Sequence, residues 1–316
     1  MKRFRYVLSL FLISFFLFRC DKGNDKNADT ATYGTIKIAA DESYFPIVSA
    51  ELDVFKAIYK YADITPVYTS EEEGFQLLVK DSVRLMIASR TLSESDLKVF
   101  EKQKIIPRVY KIAQDGVALI VNKSNSDSMI TFNQVKKIFK GEISTWSDLG
   151  KSKNKNNITV VFDNNNSSNL RFLKDTLELQ GNFSPNVFSA KSNKEVVEYV
   201  KTHENAMGVI GVNWISDADD STTVSFLNSI QVVGIASTDS PAGPEDYYQP
   251  YQAFIAQGLY PLRRNLYIIS KEARVGLGTG FVSFVTSERG QRIVLKAGLV
   301  PANVPLRIVK VKKESI

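Results

Sequence analysis

The 316-residue chain contains one cysteine and one histidine. A single thiol permits no internal disulfide. A single histidine, His203, excludes a histidine-rich metal site, and any Ser–His–Asp triad would depend on it. It lies in the polar stretch KTHENAM, which reads as a surface loop. No P-loop, paired-cysteine or G-x-G-x-x-G pattern occurs, and Gly276-Leu-Gly-Thr-Gly280 reads as a turn opening a helix rather than a phosphate cradle. Neither an enzyme activity nor a cofactor or metal is expected. Beyond residue 18, no apolar run approaches the roughly 20 residues that span a bilayer. Excess charge is also scarce. Of the formal +6, Lys2, Arg3, Arg5 and Arg19 supply four, so the remainder carries about +2 and nucleic acid is not an expected partner.

What is present begins at the N-terminus. Lys2, Arg3 and Arg5 precede the apolar run YVLSLFLISFFLF at residues 6–18, the length of a signal-peptide core. Cys20 follows directly and resembles a lipoprotein processing site, although Arg19 stands where such sites carry a small residue. The expected division is a signal peptide at 1–19 and a polar tether at 20–33 after a lipidated Cys20. Three further segments follow: 34–113 as the first part of lobe 1, 114–253 as lobe 2, and 254–316 returning to lobe 1. This predicts an exported, cell-envelope lipoprotein held to a membrane by its lipid.

From Gly34 onward, strand and helix patterns alternate. TIKIAA reads as a strand, and a helix follows from Pro46, which suits a first helical turn. Strands are expected at 64–68 and 83–88, helices at 72–80 and 93–103. The long run through VALIVN at 109–122 reads as a crossing into a second lobe. There Thr131 caps a helix ended by Gly141, ITVVF and MGVIGV are strands, and QVVGI is a strand that carries the chain back. The fold class is α/β, two lobes each with a mostly parallel sheet flanked by helices, and a ligand cleft between them. Open α/β sheets bind ligands at the carboxyl ends of strands, where helix N-termini favour anions.

Several segments, in order, resemble the phosphate-binding proteins of ABC transporters, which have the type II two-lobed periplasmic-binding fold. They are QDGVALIVNKSN, the G-x-I-x-x-W-x-x-L turn within ITFNQVKKIFKGEISTWSDLG, MGVIGV, YPLRRNLYI and FVSFVTSERGQRIVLKAGLVPA. The resemblance implies a monomeric receptor that binds inorganic phosphate or a similar oxyanion and delivers it to ABC permease subunits. A binding or sensing module outside transport stays open as the alternative. The resemblance implies four places for the anion. The loop Asp41-Glu42-Ser43-Tyr44 offers Ser43 and Tyr44, with the carboxylates of Asp41 and Glu42 expected to point away or to accept a ligand proton. Ser89 and Arg90 match a Ser-Arg pair at a strand end, and the Arg90 guanidinium fits two oxyanion oxygens. Ser167, Ser168 and Asn169 open a helix as hydroxyl and amide donors, while Asp163 or its neighbours replace the arginine that relatives carry. Asp115 matches an aspartate that accepts the proton of hydrogen phosphate, which sulfate lacks.

Overall fold

In the computed structural model, residues 29–150, 154–181, 183–217 and 219–305 are described. The N-terminal apolar run and Cys20 lie outside the described residues. Lobe 1 opens with β1 (Tyr33–Asp41), α1 (Phe45–Ile58) and β2 (Tyr61–Thr69). Next come α2 (Glu71–Val79), β3 (Leu85–Ala88) and α3 (Glu94–Lys102). Pro46 sits in the first turn of α1, where its missing N–H costs no helical bond. Ser70 caps α2, and Ser93 with Asp96 forms a reciprocal capping box on α3. The strands are apolar on both faces because helices cover both. Ile36, Ile38, Leu85 and Ile87 join one core with Phe55, Phe281 and Phe284. Ala39 and Met86, on the alternate face, join a smaller one with Phe75 and Phe100.

The strand β4 (Arg108–Asn122) spans both lobes without interruption. Beyond it, lobe 2 comprises β5 (Met129–Thr131), α4 (Phe132–Lys140), β6 (Thr159–Phe162), α5 (Ser168–Thr176), β7 (Val187–Ser189) and α6 (Asn193–Thr202). It continues with β8 (Ala206–Gly211), α7 (Ser221–Ser229), β9 (Ile230–Val232), β10 (Gly234–Ala236) and α8 (Gln252–Ala256). The chain returns through β11 (Arg263–Ser270), α9 (Leu277–Thr286), α10 (Glu288–Lys296) and β12 (Val300–Pro301). The principal sheet runs β2-β1-β3-β11-β4-β8-β6-β7, with β9 and β12 also paired to β4. β1 lies parallel to β2 and β3, and β6 lies parallel to β7 and β8, whereas β4 and β11 run antiparallel to their neighbours. β4 pairs with β11 through Gly116 and with β8 from Val117 onward. Val117, Leu119 and Val121 enter a separate core with Trp146, Val160, Phe162, Met207 and Val209.

Three readings of the sequence need correction. QVVGI is not one returning strand. It breaks after Val232, and β10 leaves β4 to pair with β5 in a small second sheet, bridged at Ile235 to Tyr248. The return to lobe 1, expected from residue 254, comes later, because residues 252–254 form no extended crossing. They open α8, whose Ile255 is buried in the lobe 2 core and whose Gln252 side chain donates to the Leu299 carbonyl at 2.5 Å. The return crossing is β11 alone among the described residues. Finally, residues 29–33, expected to belong to the polar tether, make defined contacts. Asp29 accepts the Leu277 amide at 2.8 Å, and the Ala31 backbone lies so close to Gly280 that a Cβ there would overlap it. Glycine at 280 thus lets the end of the tether rest on α9. No helix among the described residues is long and apolar enough to cross a membrane.

Candidate anion site between the lobes

The carboxyl ends of β1, β3, β6 and β8 and the starts of α5 and α6 meet at the boundary between the lobes. At the end of β1, Asp41 is 2% exposed and turns inward, so of the two expected arrangements, pointing away or facing the ligand, it does not take the first. Its Oδ1 accepts from the Ser43 amide (3.0 Å) and from Ser168 Oγ (2.9 Å), and its Oδ2 accepts from the Ser168 amide (3.1 Å). The physical reason is donor supply. The first amides of α5 have no carbonyl partner within the helix, and a carboxylate satisfies them.

Asp163, just past β6, organises the rest of this cluster. Its Oδ1 accepts from Ser167 Oγ (2.6 Å), and its Oδ2 accepts from Ser43 Oγ (3.1 Å), Asn169 Nδ2 (3.1 Å) and Asn193 Nδ2 (3.2 Å). Ser167 is the N-cap of α5, so one hydroxyl both donates to Asp163 and accepts the Leu170 amide. Asn193 Nδ2 also donates to Glu42 Oε2 at 2.6 Å, and Asn193 Oδ1 receives the Gly211 amide. A Cβ at Gly211 would lie 3.1 Å from the Ser43 carbonyl, so glycine at this position permits the close approach of β8 to the Ser43 loop. Asn213 and Trp214 donate to that same carbonyl.

Asp115 lies at the crossing. Its partner across the β4–β11 ladder is Arg264, so strand register alone sets the two side chains opposite one another. Arg264 Nη2 and Nε donate to Asp115 Oδ2 at 3.0 and 3.3 Å, with both side chains at most 1% exposed. Arg264 Nη1 reaches Ser168 Oγ at 3.3 Å, and the guanidinium carbon sits 4.9 Å from the centre of the buried Tyr44 ring. Asp115 Oδ1 and Tyr44 Oη are both buried without a hydrogen-bond partner.

Ser89 and Arg90 part company. The Ser89 amide and hydroxyl donate to Glu71 Oε1 (2.7 and 3.0 Å), and Arg171 of α5 bridges the lobes to Glu71 Oε2 at 2.5 Å and to Ser89 Oγ at 2.7 Å. Arg90 turns away, donating to Asp96 Oδ2 at 2.5 Å above the Phe75 ring. Asp96 is held there by its capping role on α3, which explains the diversion.

Burial dominates the electrostatics. It pushes Asp163 up to about 7, with nearby Asp41 adding to the rise. Burial also raises Asp41, with Glu71 second, while the Ser43 and Ser168 donors pull it back. Asp115 is raised by burial and lowered in part by Arg264. Glu42 is raised chiefly by burial as well. Among the described residues, no group of histidine, cysteine or acidic side chains could hold a metal ion, and the exposed His203 stacks on Tyr199.

The model of the PBP superfamily domain matches residues 25–289. The chain belongs to the PBP superfamily. Similar proteins include the phosphate-binding protein PstS of Pseudomonas aeruginosa, 25% identical over 283 residues, covering 85% of this chain and 83% of that one. PstS of Staphylococcus epidermidis is 25% identical over 300 residues, covering 92% and 87%. Among solved structures, a phosphate-bound substrate-binding protein from Clostridium perfringens aligns with TM-score 0.72 at 22% identity, covering 85% of this chain and 100% of its own. An ABC-type phosphate transport receptor from Vibrio cholerae gives 0.63 at 21%, covering 84% and 99%. The shared architecture is the two-lobed fold that the sequence resemblance implies.

Within this PBP superfamily chain, Ser43, Ser167, Ser168 and Asn169 converge through Asp41 and Asp163. Tyr44 and Asp115 converge through Arg264, which sequence reasoning missed. Its signal was available: an arginine in YPLRRN, on a strand expected to run beside the one carrying Asp115. Asn193, Asn213, Glu71 and Arg171 carried no comparable signal, because each becomes a site residue only through contacts distant in sequence.

Proposed function

We propose that this protein is an extracytoplasmic receptor that binds inorganic phosphate, or a related tetrahedral oxyanion, between its lobes and delivers it to an ABC permease. One observation carries the reading: the Ser168 amide and hydroxyl, with the Ser43 amide, already hold a carboxylate, an oxyanion group, at the mouth of a helix. The unpaired Asp115 Oδ1 and Tyr44 Oη beside Arg264 supply an acceptor, a donor and a positive charge suited to hydrogen phosphate. An acceptor that needs a ligand proton disfavours sulfate. The names of the relatives support the same ligand. Lobe closure would pivot on β4 and β11, with one boundary near residue 113 and the return near residue 263. Cys20 would anchor a monomer by its lipid.

Calorimetric titration with phosphate, sulfate and molybdate tests the ligand. Phosphate heat exceeding that of sulfate is expected, and absence of binding to all three would end the reading. Mass spectrometry of the mature N-terminus tests the anchor. A second reading, a sensing module without a permease, is favoured by the acidic residues Asp41, Glu42 and Asp163 in the anion loops. Capture of permease subunits by the tethered protein would decide against it.

A further inference from the structure

We propose that Asp41 is a tethered competitor for the anion site: its carboxylate takes the oxyanion position at the start of α5, latches the lobes together, and must be displaced for a free anion to bind. The inference rests on the anion-binding reading of the same site. Three observations lead to it.

First, the contacts divide between lobes. The Ser43 amide that Asp41 accepts belongs to its own turn, only two residues away, so this bond survives opening and keeps the carboxylate aimed. The two bonds from Ser168 cross 127 residues of sequence and join lobe 1 to lobe 2. A backbone amide and a hydroxyl on the two oxygens of one carboxylate is the arrangement a bound phosphate would receive.

Second, the substitution is repeated. Glu71, at the start of α2, accepts the amide and hydroxyl of Ser89 and the Arg171 guanidinium from the opposite lobe. Ser168 and Ser89, two of the serines implied as anion ligands, therefore give both amide and hydroxyl to lobe 1 carboxylates, while the Ser43 and Ser167 hydroxyls go to Asp163 of lobe 2.

Third, charge makes simultaneous occupancy costly. Asp41, Asp163, Glu71, Glu42 and Asp115 are set against Arg264 and Arg171, and Arg264 is already engaged by Asp115. A dianion brought beside these carboxylates in a buried site is repelled unless Asp41 swings out. The apparent affinity then falls by the fraction of time the latch is undone.

The test uses the full mature chain and its Asp41→Ser and Asp41→Asn variants, with folding verified by circular dichroism. Small-angle scattering without added anion reads the latch, and calorimetric titration with inorganic phosphate reads competition. Expected are a compact wild type, more extended variants, and phosphate binding about tenfold tighter or more in Asp41→Ser. Variants as compact as wild type without anion would overturn the latch, whatever the calorimetry gives. Extended variants that bind phosphate, but no more tightly than wild type, would overturn the competition. Absence of phosphate binding in wild type and extended variants alike would uphold the latch while removing phosphate as the ligand.

Discussion

Glu51 lies on the inner face of α1, 3% exposed, with both carboxylate oxygens buried and unpartnered. Around it, Ile47, Ile87, Ile112, Leu266, Phe281 and Val294 border a void of about 10 Å³, at most one water in size, whose lining is apolar apart from Glu51 itself. Desolvation therefore pushes this carboxyl up to about 9 from 4.5. The folded protein keeps Glu51 protonated, while the unfolded chain releases the proton above pH 4.5. Stability from this group is thus fully present below pH 4.5 and is lost as pH rises toward 9, by about 1.4 kcal/mol per pH unit. At pH 7 the loss is about 3 kcal/mol. Glu51→Met, similar in volume and free of a titrating group, removes the dependence. Urea unfolding at pH 5, 6, 7 and 8 is the assay. The variant should exceed wild type by a margin that widens with pH, and subtracting the two cancels the shared contributions of Asp41, Asp115 and Asp163. A margin that stays flat from pH 5 to 8 would refute the buried, protonated Glu51.

Arg264→Ala leaves Asp115 buried and uncompensated and should cost about 3–5 kcal/mol in urea unfolding, whereas Arg264→Met combined with Asp115→Leu should recover most of it; equal losses in both would contradict the pairing. Arg90→Ala should leave phosphate affinity within about twofold, because its partner is Asp96, and should loosen α3 by about 1 kcal/mol. A tenfold drop in affinity would return Arg90 to the site. Gly211→Val should wedge β8 away from the Ser43 carbonyl and weaken phosphate binding in calorimetry, with unchanged binding showing that the loop yields freely.

The strand and helix layout was legible because caps and apolar periods agreed locally: Thr131 and Gly141 delimit α4 in sequence as in structure. The break at Val233 was not legible, since a run of apolar residues does not say which of two sheets each half joins. Within the site, Ser167–Asn169 could be read because a polar cluster between a strand and an amphipathic helix is a helix start. Arg90 misled because a strand-end arginine suits an anion, yet Ser93-Glu-Ser-Asp96 spelled a capping box that delivers a carboxylate to it. Asp41 was expected to point away or to accept a ligand proton, because an anion repels a carboxylate. A carboxylate is repelled by an anion but welcomed by the anion's donors, and only the three-dimensional supply of donors from Ser168 decides between these.

The position of β11 between β3 and β4 sets an order of assembly. Lobe 2 is contiguous in sequence, but lobe 1 keeps a gap in the middle of its sheet until residues 263–270 arrive. As the chain emerges from its N-terminus, β1 to β3 must wait, unpaired along one edge, while some 150 residues of lobe 2 are made. The lobe begun first is then the last to be finished. A chain ending after Leu262 should protect the amides of β6 and β8 from hydrogen exchange but not those of β1 and β3, and protection of both would show that the early strands close without their partner.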